Sequence, residues 1–209
     1  MSNLITIQNF NTGIEVWTQK KWDSDFHNST YRILSNLKQN GLGEHWWIEM
    51  VNILWSWRAI RPLPKSEIIL RGKAYLAELQ GEYNSLLART EEKKPSIENT
   101  DWKALQNIFR VASKIKNVKS PVFASKFCHF LLPNVFPVID QEVIGINNMT
   151  YENYWHFCQT QWLQSNEKTK LTEILKGRIG DTVVDDYPYC TKVTEICIIG
   201  SKTNNSSIR

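Results

Sequence analysis

The sequence predicts an all-α protein, and two observations carry that prediction. From about Asn28 onward the apolar residues recur with helical spacing. Breakers punctuate the pattern where helices should stop: Asn40-Gly41, Pro62 and Pro64, and Pro133-Asn134. No internal repeat or low-complexity tract interrupts it. A chain of 209 residues suffices for one substantial core and is short for two, so a single domain with two lobes is expected.

Taken in order, Leu4 to Trp22 alternates loosely between apolar and polar residues at Ile5, Ile7, Ile14 and Val16. With Asn11-Thr12-Gly13 between them, the stretch reads as a short hairpin or an extended arm. Tyr31, Leu34 and Leu37 mark the first helical stripe, ended by Asn40-Gly41. Glu44 to Ile60 carries Trp47, Val51, Leu54, Trp55 and Arg58 at helical spacing and is stopped by Arg61-Pro62-Leu63-Pro64. Ser66 to about Leu87 is a third helix, with Ile69, Tyr75, Leu76, Leu79 and Leu86.

Arg89 to Thr100 is charged and polar and contains Pro95. It reads as a linker over about 91–100, joining a first lobe of about 1–90 to a second of about 101–209. Asp101 precedes Trp102, Leu105, Ile108, Phe109, Ala112 and Ile115, an amphipathic helix whose basic end gathers Lys114, Lys116 and Lys119 around Asn117. Pro121 suits the first turn of the next helix, Val122 to Leu132. An extended Val135-Phe136-Pro137-Val138-Ile139 then leads into Asp140, which opens a helix to Ile146. Further helices are expected at about Thr150 to Gln164, Lys168 to Ile179 and Thr191 to Ile199.

A composition of 42% hydrophobic and 22% charged residues fits a globular chain rather than a disordered one. No apolar run approaches the roughly 20 residues that cross a bilayer, and Met1 to Phe10 lacks the marks of a signal peptide. A cytoplasmic protein with no membrane partner is therefore expected. Cys128, Cys158, Cys190 and Cys197 form no C-x-x-C pair and do not group with His27, His45, His129 or His156. Zinc-ligand spacing is thus absent, no metal or cofactor is expected, and the thiols read as buried and reduced. A net charge of +4 suits a polyanionic partner only if the lysines concentrate on one face. The nine tryptophans exceed what a core of this size usually needs, and such rings are often placed where something flat is gripped.

The informative stretch is Lys114 to Ile146, KIKNVKSPVFASKFCHFLLPNVFPVIDQEVIGI. Asp140 follows five apolar or Pro positions and opens a helix. A carboxylate so placed can stabilise the positive charge that builds on a sugar ring as an N-glycosidic bond breaks. Lys126 lies in the first turns of an apolar helix, downstream of three other lysines. Cations, desolvation and a helix N-terminus each favour the lowered pKa that a lysine nucleophile needs. His129 and Phe130, three and four positions on, share its helix face and would border the same cavity. Plainer readings stand beside these. Asp140 can be an N-cap, Lys126 a solvated lysine, and Lys114, Lys116 and Lys119 a wet helix end. Trp46, Trp47, Trp55 and Trp57 can be core, although Trp46 and Trp57 fall off the main stripe and would then line an opening.

The same stretch resembles the helix-hairpin-helix DNA glycosylase superfamily, in particular its 8-oxoguanine-glycosylase-fold branch. Val122-Phe123-Ala124-Ser125-Lys126 occupies the place of that family's hairpin turn and catalytic lysine. Phe136-Pro137-Val138-Ile139-Asp140 occupies the place of its aspartate passage. Asp185-Asp186-Tyr187-Pro188-Tyr189, ahead of the last helix, resembles the region that closes over the flipped base, or is a turn before a docking helix. The chain departs from the pattern in having no glycine between Lys114 and Asp140, and in placing Glu142 where a polar phosphate contact often follows.

The resemblance implies a variant helix-hairpin-helix in a two-lobed helical domain, acting as a monomer on double-stranded DNA with a modified base. Lys114, Lys116 and Lys119 would anchor phosphates. His129, Phe130, Trp46, Tyr187 and Tyr189 would receive the flipped base. Asp140 and Lys126 would act at C1′, with Lys126 as nucleophile or, failing that, with an activated water. The target is an oxidised purine in repair or a hypermodified viral base in phage defence, the second favoured by the modest size and missing glycine hairpin. A noncatalytic helical nucleic-acid-binding module and a tryptophan-anchored protein-interaction domain are the alternative classes.

Overall fold

The computed structural model describes residues 3–89, 94–116, 121–139 and 149–206, and among them the chain forms ten helices and no strand. These are α1 Ile7–Gln19, α2 Asn28–Lys38, α3 Glu44–Ser56, α4 Lys65–Lys73, α5 Leu76–Arg89, α6 Trp102–Ile115, α7 Pro121–Leu131, α8 Tyr151–Gln164, α9 Lys168–Ile179 and α10 Tyr189–Ser206. The all-α expectation holds. Residues 117–120, which include Lys119, and the helix expected from Asp140 to Ile146 lie outside the described residues.

Local signals set many of the helix starts. Asp101 caps α6 by accepting the Lys103 N–H at 3.3 Å, and Thr150 caps α8 by accepting that of Asn153 at 3.2 Å. Gly41, at φ +84, supplies the left-handed residue expected in the turn after α2.

The N-terminal segment corrects the expected hairpin or arm: it is a helix. Thr6 caps it by accepting the Asn9 N–H at 3.3 Å. Phe10, Gly13, Ile14 and Trp17 then form a buried face with helical spacing. Asn11-Thr12-Gly13 is no turn. Gly13 sits where α1 meets α10, and an added Cβ would lie 2.0 Å from the Ile196 carbonyl oxygen. Gly200 answers it from α10, where a Cβ would lie 1.9 Å from the Asn9 carbonyl oxygen. These glycines let one backbone approach another closely.

The third expected helix divides into α4 and α5. Ala74 and Tyr75 turn with i to i−3 hydrogen bonds to the Arg71 and Gly72 carbonyls, at 3.2 and 2.8 Å. Gly72 lies so close beneath the Trp47 ring that a Cβ would come within 1.9 Å of it, while Trp47 Nε1 donates to the Ile69 carbonyl at 3.0 Å.

One apolar cluster runs from Ile5 to Ile199. The most extensive helix pair is α1 with α10, so the first helix packs with the last. The described part of the expected linker packs against other elements. Ile97 is buried, its N–H donates to the Asn134 carbonyl at 2.8 Å, and its own carbonyl accepts Gln159 Nε2 at 2.8 Å. Lys94 pairs with Asp186. All four cysteines are free and buried, and burial pushes the thiols of Cys158, Cys190 and Cys197 up to about 12. No helix among the described residues is long and apolar enough to cross a membrane.

Candidate functional site

An extended chain outside a sheet has no ladder to satisfy its backbone, so its buried polar groups must find side chains. Residues 135–139 do this almost one by one. Trp155 Nε1 donates to the Val135 carbonyl at 2.9 Å, and His129 Nδ1 to that of Phe136 at 2.7 Å. The Tyr151 hydroxyl donates to the Pro137 carbonyl at 2.7 Å, and the Tyr154 hydroxyl to that of Val138 at 2.8 Å. The Ile139 N–H donates to Ser125 Oγ at 3.2 Å. Tyr151, Tyr154 and Trp155 have the spacing of one helix face on α8. The clamp brings Ile139 beside the residue that precedes Lys126 on α7. Asp140 lies outside the described residues.

Lys126 is buried rather than solvated. Its Nζ donates to the Trp57 carbonyl at 3.3 Å and lies 5.7 Å from the centre of the Trp57 ring. The turn after α3 takes a second ammonium: Lys116 Nζ donates to the carbonyls of Ala59 at 3.0 Å and Arg61 at 2.7 Å. Burial, and then the charge of Lys126, lower the Lys116 pKa. Arg58, within that turn, has a left-handed backbone at φ 56. Of the three lysines expected to anchor phosphates, Lys114 and Lys116 are described and have different partners. Lys116 turns inward because those carbonyls would otherwise be unpaired. Lys114 pairs with Glu78 at 3.2 Å, and Lys119 lies outside the described residues.

Three of the expected base-pocket residues gather around Tyr31, and a fourth packs behind them. Ring centres of His129, Phe130 and Tyr187 lie 5.6, 6.2 and 5.5 Å from that of Tyr31. Tyr189 packs on Tyr187 at 4.8 Å. The Tyr187 hydroxyl donates to the Phe26 carbonyl at 2.9 Å. His129 must donate from Nδ1 to its carbonyl partner, so Nε2 accepts the Tyr31 hydroxyl at 2.7 Å. Burial, with the charge of Lys192, pushes the His129 pKa down to about 3, against the pull of the Phe136 carbonyl. Trp46 does not join them. It is core, edge-on to Phe127 at 6.1 Å, because its side of α3 faces α7.

A second polar cluster, not expected from the sequence, lies beside this one. Lys192, with no exposed side-chain surface, donates to Glu195 at 2.6 Å and to His27 Nδ1 at 3.1 Å. Its Nζ lies 5.2 Å from the Trp17 ring and 5.9 Å from that of Tyr31. Trp57 connects the two clusters, 4.4 Å from His27 and 4.7 Å from Phe130. A usable signal is present in the sequence: Lys192 and Glu195 are the charged residues of an otherwise uncharged run, Thr191 to Ile199, one helical turn apart.

On a different side, Tyr31 and Phe130 also back an open groove of about 610 Å³ whose wall includes Lys38, Tyr83 and Asn134. Lys38 Nζ donates to the Leu131 carbonyl at 2.8 Å, and burial lowers its pKa to about 8. Neither Lys126 nor His27 lines that groove. Comparison of the chain with protein-family models, curated proteins and solved structures finds no significant match.

Proposed function

We propose that this protein is a DNA glycosylase that takes a modified base out of duplex DNA and breaks its N-glycosidic bond, with Asp140 as catalytic carboxylate and Lys126 as its partner. One observation carries the reading: the side-chain clamp on residues 135–139 ends at Ser125, the neighbour of buried Lys126. Four successive carbonyls and one N–H secure the chain as far as Ile139, and the proposed carboxylate is carried by the next residue in the sequence. Asp140 is that next residue.

In this mechanism the duplex gives up one nucleotide, because the sugar–base bond is inaccessible inside the stack. The C1′–N bond breaks, its electron pair leaves with the base, and the base takes up a proton from solvent water. Positive charge builds on the sugar, and the Asp140 carboxylate stabilises it. The new bond to C1′ comes from the Lys126 amine or from a water, and in either case the nucleophile gives its proton to the Asp140 carboxylate. The flat base would be received among the aromatic residues around Tyr31 and Trp57, which pack against one another in its absence. The substrate is a hypermodified viral base or an oxidised purine, the first favoured by the absence of glycine from Lys114 to Asp140.

The test is alkali-dependent strand breakage in two DNAs, one oxidised and one from a phage with modified cytosines. Wild type is expected to break one of them, and Asp140→Asn neither. Borohydride trapping of a covalent adduct, absent in Lys126→Ala, would assign the amine as nucleophile. Breakage of neither DNA by wild type would sink this reading and leave the noncatalytic binding module.

A further inference from the structure

The His27 cluster takes no part in the chemistry above, yet it is built with care. Phe26 and His27 both have left-handed backbones, at φ 51 and 69, a conformation that side chains other than glycine adopt only when their surroundings hold it. Asp25 does so by accepting the N–H of His27 at 3.1 Å and that of Ser29 at 2.9 Å. The imidazole is thereby turned inward, with the residue only 7% exposed.

An ammonium has hydrogens to give and no lone pair, so the contact with Lys192 makes His27 Nδ1 an acceptor and leaves the ring proton on Nε2. That N–H faces an Asp23 carboxylate oxygen at 3.7 Å, too far for a hydrogen bond, and has no nearer acceptor among the described residues. It is a fixed donor without a matched acceptor, on a ring packed 4.4 Å from Trp57 and 5.2 Å from Trp17. Trp57 is also the ring over which Lys126 lies.

We infer that His27 is a specificity-determining residue whose Nε2–H donates to a carbonyl oxygen or unprotonated ring nitrogen of the base bound against Trp57. This rests on the glycosylase reading. A neutral donor selects for an acceptor on the base, whereas an imidazolium would also attract phosphate. The surroundings keep the ring neutral. Burial foremost, then the charges of Lys192, His129 and Lys126, hold its pKa well below the usual histidine value. Asp23 faces the same ring, but burial and Asp25 raise its own pKa. A base presenting an amino group at this point would set donor against donor, the arrangement that discriminates most strongly in a buried site.

Two variants separate the hydrogen bond from the ring. His27→Gln keeps an N–H donor, and His27→Phe keeps a ring against Trp57 and Trp17. In single-turnover base release from the duplex that wild type cleaves, with folding checked by circular dichroism, His27→Gln should stay within about tenfold of wild type and His27→Phe should fall by about 100-fold. Undiminished release by His27→Phe overturns the assignment and leaves the glycosylase reading standing. Absence of release by wild type from either duplex overturns both. Should His27→Phe fail to fold, the ¹⁵N spectrum of the wild-type histidines decides. A neutral Nε2–H form of His27 is expected at about pH 6.5, where an unperturbed imidazole is half protonated, and an imidazolium there overturns the assignment.

Discussion

Ser125 Oγ accepts the N–H of Ile139 at 3.2 Å in a fully buried setting and donates in turn to the Val122 carbonyl at 3.1 Å. Through this hydroxyl the extended segment is fastened to α7 one residue before Lys126. Ser125→Ala would leave the buried Ile139 N–H without an acceptor, at a cost of about 1–3 kcal/mol. Urea unfolding should show that loss, and on the proposed glycosylase reading base release should slow further than stability alone explains. A variant as stable and as active as wild type would show that the fastening does not matter.

The contact between Tyr31 and His129 predicts how stability depends on pH. The His129 pKa falls from 6.5 to about 3 in the folded chain, chiefly through burial and then through Lys192. Above about 6.5, the unfolded value, folded and unfolded chains both carry the neutral ring, and this contribution to stability is complete. Below it the unfolded chain takes up a proton that the folded chain refuses until the pH nears the folded value. Stability should therefore fall by up to about 1.4 kcal/mol per pH unit for each such histidine. His27 acts in the same direction, since burial and Lys192 lower its pKa as well. Urea midpoints at pH 7, 6 and 5 should decline, less steeply in His129→Gln. Midpoints independent of pH over that range would contradict the neutral buried rings.

What could be read from the sequence follows the range over which each feature is determined. Helix α9 is legible at both ends, Lys168 and Ile179, because periodicity and a terminal glycine at 180 are local signals. The extended run before Asp140 is legible because Pro133 and Pro137 exclude a helix there. Helix α1 is not, because the glycine in its buried face answers to Ile196, at the far end of the chain. In the site, Lys126, His129 and Phe130 share one helix, and helical spacing groups them in advance. The partners that bury Lys126 and Lys116 come from the turn at Trp57 to Arg61, at separations of 55 to 69 residues. His27 and Lys192 stand 165 residues apart, and no local pattern joins them.

The glycines give a prediction with its control built in. Gly13→Ala and Gly200→Ala would each drive a methyl group into carbonyl oxygens across the α1–α10 contact, with Cβ at 2.0 and 1.9 Å. Backbone cannot step aside as a side chain can, so each should cost about 1–3 kcal/mol or more. Gly81 lies inside α5 with nothing within 4 Å of the same added atom. Gly81→Ala should instead stabilise by about 0.5–1 kcal/mol. Thermal unfolding of the three variants checks this, and a stabilising Gly13→Ala would refute the close approach.

Lys116 separates a structural lysine from a DNA-binding one. Its ammonium is held by the Ala59 and Arg61 carbonyls, and the residue is 7% exposed. Lys116→Met keeps much of the stem and removes the hydrogens, leaving those carbonyls unpaired at a cost of about 1–3 kcal/mol. Removing one lysine–phosphate pairing from a duplex complex lowers the slope of log K against log salt by about 0.9. If Lys116 belongs to the fold alone, Lys116→Met will unfold at lower urea while its salt slope for DNA binding, measured where it is folded, matches wild type. A slope reduced by about 0.9 would instead mean that Lys116 leaves the turn at Ala59 and Arg61 when DNA binds. That turn would then be a moving part of the interface, and its release would have to be offset by the phosphate pairing that it permits.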